Sequence, residues 1–202
     1  METKTPVYTF DKERHRHLLD DQEIPGVTRI LRAFGFGANA FYTEYGRDRG
    51  TFVHLATELY DRGELDEDTL DPVLAPYLAG YKAFRAELGA EPIHIEVPLC
   101  SVLRRFATVI DRVMTIGKKV RIVEIKGGAE EKHHRLQTAM QAHICRVNGI
   151  RFDGRAALYL SPDGSYRFRP HDDPGDEHAA MALVAAYSVI GNYGGAHENN
   201  DA

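Results

Sequence analysis

The feature that most restricts the fold of this chain is a change of hydrophobic periodicity near residue 93. Before that point apolar residues recur at helical spacing, and after it Ile93, Ile95 and Val97 alternate as in a half-buried strand. The elements predicted in chain order are helices over 28–34, 49–61 and 71–88, strands over 93–97, 106–114 and 119–125, a helix over 135–148, strands over 156–160 and 166–169, and a helix over 177–190.

This order predicts a mixed α/β domain with one central sheet flanked by helices. The chain has 202 residues, enough for a single domain with a sizeable core. We expect that domain to span residues 1–190 and to begin with a hairpin formed by 7–10 and 17–19. Residues 191–202 are rich in Gly, Asn and Asp and predict a flexible tail.

Composition excludes several classes of protein. The sequence contains no run of about 18 apolar residues, so it predicts no membrane span. The first ten residues lack the apolar stretch of a signal peptide. Two cysteines form neither a disulfide framework nor an iron–sulfur site, which favours the cytoplasm. The net charge of −5 argues against a protein that coats DNA nonspecifically, but it is compatible with an enzyme whose cations line one groove.

One predicted strand carries residues that point to chemistry. Glu124 and Lys126 end an apolar segment and stand two residues apart, so they project from the same side of the strand. The apolar residues beside them face the other way, into the core. Two glycines follow at once and open the backbone to the approach of a large substrate.

Asp111 lies on the preceding predicted strand. If the short turn at Gly117 pairs the two strands, the carboxylates of Asp111 and Glu124 converge on one face. Two carboxylates supply the hard oxygen ligands that Mg²⁺ requires. Such an ion activates water and neutralises charge on a phosphate during in-line attack, while Lys126 can hold the attacking water or stabilise that charge.

A plainer interpretation stays open for these residues. Glu-x-Lys is common by chance, so the pattern also fits a surface aspartate and an exposed Glu–Lys pair on a strand. The case for chemistry therefore needs more of the chain.

Six short segments, taken in order, resemble the RecB-like branch of the PD-(D/E)xK nucleases, especially small exonuclease-like proteins of phages. The resemblance implies a restriction-endonuclease-like core. It also implies a metal-dependent DNA exonuclease acting in recombination, repair or phage DNA processing, in the host cytoplasm if phage-encoded. The matching segments are 24–31, 49–54, 95–99, 110–113, 123–128 and 136–139.

The resemblance implies roles for individual positions. The catalytic residues would be Asp111, Glu124, Lys126 and Gln137, the last touching substrate or orienting the site. The metal, Mg²⁺ or Mn²⁺, would be held by His54, Asp111, Glu124 and Ile125. Glu96 matches a carboxylate near the metal, although an ordinary outward-facing strand residue is the equal alternative.

His54 has a plainer reading as well. The apolar stripe of its helix is predicted to be Phe52, Leu55, Ala56 and Leu59, and His54 lies about 200° around the helix from Phe52. An exposed histidine would account for this position. The resemblance instead implies that this face of the helix points toward the active-site cleft.

The predicted DNA contacts come from two sources. Arg49 and Thr51 belong to a matching segment. Lys132 and Arg135 precede or begin a helix, where positive charge is disfavoured unless a phosphate docks there, or else they are simply solvated.

Two departures from the family pattern affect substrate approach. Gln141 replaces the usual tyrosine four residues after Gln137, so a hydrogen bond to DNA would replace stacking. The segment 106–110 replaces a glycine-containing turn before the aspartate.

DNA is the expected partner. A single-strand annealing protein is a further candidate, because the products of the similar phage exonucleases are used in strand annealing during recombination. The alternatives are an endonuclease of the same fold or a noncatalytic DNA-binding scaffold.

Overall fold

The computed structural model describes residues 5–37 and 44–193. The elements within those ranges are β1 (Tyr8–Asp11), β2 (Arg16–Leu19), β3 (Gln22–Ile24), α1 (Val27–Ala33), α2 (Glu44–Arg62), a 3₁₀ turn (Glu67–Thr69), α3 (Ala75–Leu88), β4 (Ala90–Ser101), β5 (Phe106–Ile116), β6 (Lys119–Lys126), α4 (His134–Val147), β7 (Gly154–Leu160), β8 (Tyr166–Pro170) and α5 (Gly175–Tyr193).

A five-stranded mixed sheet forms the centre of a single α/β domain. Its strand order is β4-β5-β6-β7-β8. Strands β6 and β7 are parallel, and the other neighbouring pairs are antiparallel. Helix α4 connects the parallel pair, because parallel neighbours need a crossover rather than a tight turn. The predicted fold class, a mixed sheet flanked by helices, is confirmed.

Helices cover both faces of this sheet. On one face, Val53 of α2 and the aromatic side chains of α3 pack against Val123 and Ile125. On the other face, α1, α4 and α5 share a core that includes Phe106 and Met140. Strand β6 therefore buries alternate residues on opposite sides, and its functional residues must face one of two helical layers.

A second, three-stranded antiparallel sheet, β1-β2-β3, lies at the start of the chain. Its third strand was not predicted from the sequence. The segment that follows β3 reaches the main sheet, where Gly26 forms a parallel bridge with Ala107 and the Ala107 N–H donates to the Pro25 carbonyl. This small sheet is thereby attached at the beginning of β5.

The predicted starts of several helices are wrong. Helix α1 begins at Val27, one residue before its predicted start, with Gly26 as its N-cap. Helix α2 begins at Glu44, five residues before its predicted start. Helix α3 begins at Ala75, four residues after its predicted start, with Pro76 in its first turn. These errors arise because several residues near each start could serve as a boundary.

The predicted apolar stripe of α2 is partly wrong. Phe52 and Leu55 are 52% and 42% exposed, whereas Ala56 is buried as predicted and Val53, which was not part of the predicted stripe, is buried as well. Polar Thr57 and Glu58 lie on the buried face too, so hydrophobicity alone set the wrong phase. His54, next to Val53, consequently faces the sheet.

The predicted alternation in β4 is wrong at Ile93, which is 49% exposed. The register with β5 shifts between Pro92 and His94, and a residue inserted there reverses the faces of its neighbours. The turn after β5 forms as predicted, with Gly117 at φ +59°, a conformation that favours glycine.

The last helix is longer than predicted. Because α5 extends to Tyr193, the first three residues of the predicted tail are helical. The remainder of the predicted tail, 194–202, lies outside the described residues. None of the helices in the described part of the chain combines the length and hydropathy that crossing a membrane requires.

Candidate metal centre

Asp111 and Glu124 meet where strands β5 and β6 separate. The last paired residues of the two strands are Arg112 and Val123. Beyond this pair the two strands are no longer paired through their backbones. A side chain joins them instead, because Asp111 Oδ2 accepts a hydrogen bond from the Ile125 N–H at 2.7 Å. Asp111 and Glu124 are 7% and 4% exposed, so the simpler interpretation as surface residues is wrong for both carboxylates.

Glu124 is held by three nitrogen donors. Lys126 Nζ donates to its Oε1 at 2.8 Å, which keeps the predicted Glu–Lys pair together. Gln137 Nε2 donates to Oε1 and Gln141 Nε2 to Oε2, each at 2.5 Å. The two glutamines are one helical turn apart on α4 and therefore present their amides on the same face.

Gln141 does not lie on the surface, where a contact with DNA would require it to be. Its side chain is buried, and its residue is 1% exposed. Its Oε1 is buried without a hydrogen-bond partner among the described residues. The predicted direct contact with DNA is therefore wrong in this conformation, and Gln141 instead orients Glu124.

His54, Glu96 and Asp111 form a compact group of potential ligands. One ligand atom from each lies within 4.8 Å of the other two, and His54 Nδ1 is 3.6 Å from Asp111 Oδ2. Glu124, which was predicted to bind the metal, is not part of this group, and its oxygens accept hydrogen bonds from the three donors. Ile125 has no ligating side chain, so its predicted role as a metal ligand stays a prediction.

Glu96 reaches this group through an unusual backbone conformation. It stands opposite Asp111, between the paired residues Ile95–Arg112 and Val97–Ile110. Its φ of +48° lies in the left-handed region, which costs about 1–3 kcal/mol for a residue with a side chain. Neighbouring contacts must hold Glu96 there, and this position excludes the alternative of an ordinary outward-facing strand residue.

Arg112 supplies those contacts from beneath the site. It is fully buried. Its Nη1 donates to Glu96 Oε1 at 2.8 Å and to the Asp111 carbonyl at 2.6 Å. Its Nε donates to Asp61 Oδ2 on α2 at 2.6 Å. Asp61 is seven residues after His54, two turns along the same helix, so one guanidinium connects the three elements that carry His54, Glu96 and Asp111.

Sequence reasoning missed Arg112, although the sequence contained a signal. The arginine follows Asp111 directly in a strand whose neighbours Ile110 and Val113 are apolar. A cation in such a strand is costly to bury unless it is paired. A search for its carboxylate partners would have led to Asp61 and Glu96.

The carboxylates in the site differ in their proton affinity. Burial raises the pKa of Asp111 to about 6, and the nearby charge of Glu124 adds to this effect. Burial also raises the pKa of Glu96 to about 8, with a further contribution from Asp111. Burial would raise the pKa of Glu124 as well, but Lys126 and the amide donors hold it below its usual range.

This set of donors fits a divalent cation. An imidazole and two carboxylates lie close enough to share one ion. Burial first and neighbouring carboxylates second raise the pKa of Asp111 and of Glu96, so negative charge is unfavourable there, and a bound cation would relieve that cost. The candidate ligands are therefore His54, Glu96 and Asp111.

The other predicted DNA contacts differ in their surroundings. Thr51 is exposed on α2 and Lys132 is exposed before α4. Arg49 places its guanidinium 5.7 Å from the centre of the Tyr77 ring. Arg135 pairs with Asp173 and Asp176, at 2.8 and 3.0 Å, so these carboxylates neutralise much of the positive charge that was expected to favour phosphate.

Comparisons with known proteins give little further information. No protein-family model matches the chain, and no curated protein matches it in sequence. Among solved structures, the crystal structure of SSO0001 is similar with a TM-score of 0.37 and 16% sequence identity. The aligned part covers 56% of this chain and 57% of that one. This likeness is too weak to support an argument about function.

Proposed function

We propose that this protein is a metal-dependent DNA nuclease with a PD-(D/E)xK, restriction-endonuclease-like core. The observation that carries the proposal is the convergence of buried Asp111 and Glu124 with Lys126, beside the ligand group that contains His54 and Glu96. A buried cluster of this kind is costly without a counter-charge. Its arrangement is therefore better explained by a catalytic use than by a solvated strand surface.

The topology supports the same conclusion. Asp111 lies on β5, Glu124 and Lys126 end the adjacent strand β6, and Gln137 lies on the crossover helix that follows. The sequence pattern at these positions resembles the nuclease family. Asp111, Glu124 and Lys126 lie where β5 and β6 separate, and this arrangement supports the proposal.

Each side chain has a definable role in phosphodiester hydrolysis. When bound, a divalent cation lowers the pKa of a coordinated water and neutralises charge on the phosphate. Lys126 donates a hydrogen bond to the attacking water or to a phosphate oxygen. Glu124 holds the Lys126 ammonium in place, and Gln137 and Gln141 fix Glu124. His54, Glu96 and Asp111 bind the cation.

The proposed cofactor is Mg²⁺ or Mn²⁺. The carboxylates suit Mg²⁺, while the imidazole of His54 favours Mn²⁺ more than a site with only oxygen ligands would. By the resemblance to phage proteins, we propose exonuclease action on DNA in the cytoplasm. A protein that anneals single strands would then use the product.

Incubation with matched linear and circular duplex DNA, with Mg²⁺ or Mn²⁺, tests this function. We expect loss of the linear DNA only, and no loss when EDTA is present. Cleavage of both substrates would identify an endonuclease. If neither substrate is cut by the wild-type protein with either metal, the proposed function is wrong and a noncatalytic scaffold is favoured.

A further inference from the structure

A polar cleft extends from the end of β6 along the edge strand β8. It consists of two adjoining pockets that share Glu130 and Arg167. One end includes the glycines that directly follow Lys126. We call this surface the β8 cleft and define it by its charged residues, which are Arg49, Glu130, Glu131, Lys132, Arg135, Arg167, Arg169 and Asp172.

The β8 cleft differs in charge from the rest of the molecule. Five lysine and arginine side chains line it against three carboxylates. Four of these cations remain when Arg135, which pairs with Asp173 and Asp176, is set aside, although the whole chain has a net charge of −5. Cations collected in a concave surface attract anionic ligands and concentrate them locally. The ligand that fits this cleft is therefore anionic and long enough to follow it.

Strand β8 presents two of these cations outward. Arg167 and Arg169 are 60% and 52% exposed at their side chains, whereas Tyr166 and Phe168 pack against the core. Alternate residues on a strand share one face about 6.7 Å apart. The two guanidinium groups therefore form a short row along the cleft.

A single carboxylate lies between these two cations. Glu130 Oε2 accepts from Arg167 Nη1 at 3.3 Å and from Arg169 Nε at 3.2 Å. Both hydrogen bonds are long for a charged pair, which usually approaches to about 2.7–2.9 Å. One negative charge also leaves one of the two positive charges uncompensated.

The other end of the cleft contains a further unsatisfied donor. Arg49 Nε is buried and has no hydrogen-bond partner among the described residues. A buried donor without a partner is uncommon and needs an explanation such as a bound ligand, ion or water. Beside it, a Cβ added at Gly128 would meet no heavy atom within 4 Å, so the cleft is open where it approaches Lys126.

We infer that the β8 cleft binds the phosphodiester backbone of a nucleic acid strand, with Arg167 and Arg169 as phosphate contacts that Glu130 occupies in the absence of ligand. This inference rests on the proposed function for the choice of DNA as the polyanion. Phosphate oxygens replace the Glu130 carboxylate between the two guanidinium groups. The bound strand continues past Gly128 toward Lys126.

The same chain contains a close structural control for this cluster. Arg16 and Arg29 share Glu23 in the N-terminal sheet, at 2.6 and 2.9 Å. Their side chains are 48% and 53% exposed, similar to those of Arg167 and Arg169. The Glu23 cluster has no part in lining the β8 cleft, so charge and exposure are matched while location differs.

The test measures binding of a fluorescein-labelled duplex by anisotropy, in EDTA and from about 50 to 200 mM salt. The double substitution R167Q/R169Q should reduce the salt slope by about 1.8, because each lost phosphate contact reduces it by about 0.9. R16Q/R29Q should leave the slope unchanged. E130Q should tighten binding several-fold, while E23Q should have no effect.

Equal slopes for the wild type and R167Q/R169Q would overturn the inference, as would an equal reduction in both double variants. Absence of measurable DNA binding by the wild type would overturn it too. Cleavage, measured separately with Mg²⁺ or Mn²⁺, decides the proposed function. If only R167Q/R169Q loses slope and the wild type does not cut DNA, the cleft assignment stands and the nuclease proposal fails.

Discussion

Glu124 and Asp111 are buried carboxylates, Glu96 nearby is half-buried, and the surroundings of Glu124 differ from those of the other two. Glu124 accepts bonds from one ammonium and two amide groups, and its pKa lies below the usual range. Asp111 accepts one backbone N–H, and Glu96 is bonded to Arg112. Burial raises the pKa of both of these side chains, to about 6 and about 8.

The difference separates two functions within one site. Donors from the protein already satisfy the negative charge of Glu124, so in the proposed nuclease we expect it to hold Lys126 rather than to bind the metal. The negative charge on Asp111 and Glu96 is less fully compensated, and His54 completes a possible ligand group beside them. A cation bound at this second region would supply the missing positive charge.

The largest expected effect is from Asp111→Asn. The substitution removes a ligand charge while retaining the shape of the side chain. Initial rates of DNA cleavage should fall at least about 10³-fold, comparable to the loss of a major electrostatic contribution to catalysis. Anisotropy should show nearly unchanged DNA binding, because the basic contacts remain.

The matched control is Asp21→Asn. Asp21 is exposed and has a φ of +60°, a conformation that asparagine tolerates well. Its cleavage rate should equal that of the wild type. Normal cleavage by Asp111→Asn would show that the catalytic assignment is wrong.

His54→Ala should weaken Mn²⁺ binding by about 100-fold, the upper end of the loss found for residues that merely support a ligand. Higher Mn²⁺ concentrations should restore part of the rate, which a Mn²⁺ titration of initial rates would show. His94→Ala is the control, because His94 is an exposed histidine on β4. If the titration curves of all three proteins coincide, His54 is only a helix surface residue.

Arg112→Lys should weaken Mn²⁺ binding by about 10- to 100-fold. Lysine retains the charge, but its ammonium cannot reproduce the fixed fork that contacts Asp61, Glu96 and the Asp111 carbonyl. Isothermal titration calorimetry measures this affinity directly. Arg85→Lys provides the control, since Arg85 also pairs with Asp61 at 2.8 Å but contacts Ala90 and Glu91 rather than the ligand group.

Both arginine substitutions should lower the melting temperature, because each disturbs a buried or partly buried ion pair. Only Arg112→Lys should lower the affinity for Mn²⁺. If the two variants bind Mn²⁺ with equal affinity, Arg112 contributes only to the stability of the fold.

A smaller effect is expected on the pH dependence of stability. Burial raises the pKa of Glu96 to about 8, whereas an unfolded glutamate has a pKa of about 4.3. Between these values the metal-free folded state binds a proton that the unfolded state releases. The contribution of Glu96 to stability therefore falls as pH rises through this window.

Glu96→Gln removes this contribution because glutamine does not titrate. Relative to the wild type, the metal-free variant should gain several degrees in melting temperature as pH rises from about 5 to 8, at about 2–4 °C for each kcal/mol. If the difference in melting temperature between the variant and the wild type stays constant across this pH range, Glu96 does not have a raised pKa in the folded state. Differential scanning fluorimetry in EDTA is sufficient to measure it.

Local patterns predicted much of the fold because they determine local structure. The apolar segment within 119–125 and the glycine at position 117 correctly predicted the strands that carry Asp111 and Glu124. The phase of α2 was not predictable from apolar residues, because Thr57 and Glu58 are buried by contacts with distant residues. Tertiary contacts thus determined which face of that helix His54 occupies.

The unpredicted parts of the site depend on long-range polar contacts. Glu96 has its left-handed backbone in the middle of a strand, and Arg112 contacts both Asp61 and Glu96 across three elements. No periodic pattern in the neighbouring sequence indicates either feature. Gln141 was placed on the correct helix face, but its partner is Glu124 rather than DNA.

Anomalous diffraction from crystals soaked in Mn²⁺ shows whether His54, Glu96 and Asp111 bind a divalent cation. We expect one strong peak within bonding distance of these three residues, at about 2.0–2.3 Å from nitrogen or oxygen ligands. Soaked crystals of Asp111→Asn should lose or greatly weaken that peak. If a wild-type crystal with saturating Mn²⁺ shows no peak among these three residues, they do not form a divalent-cation centre.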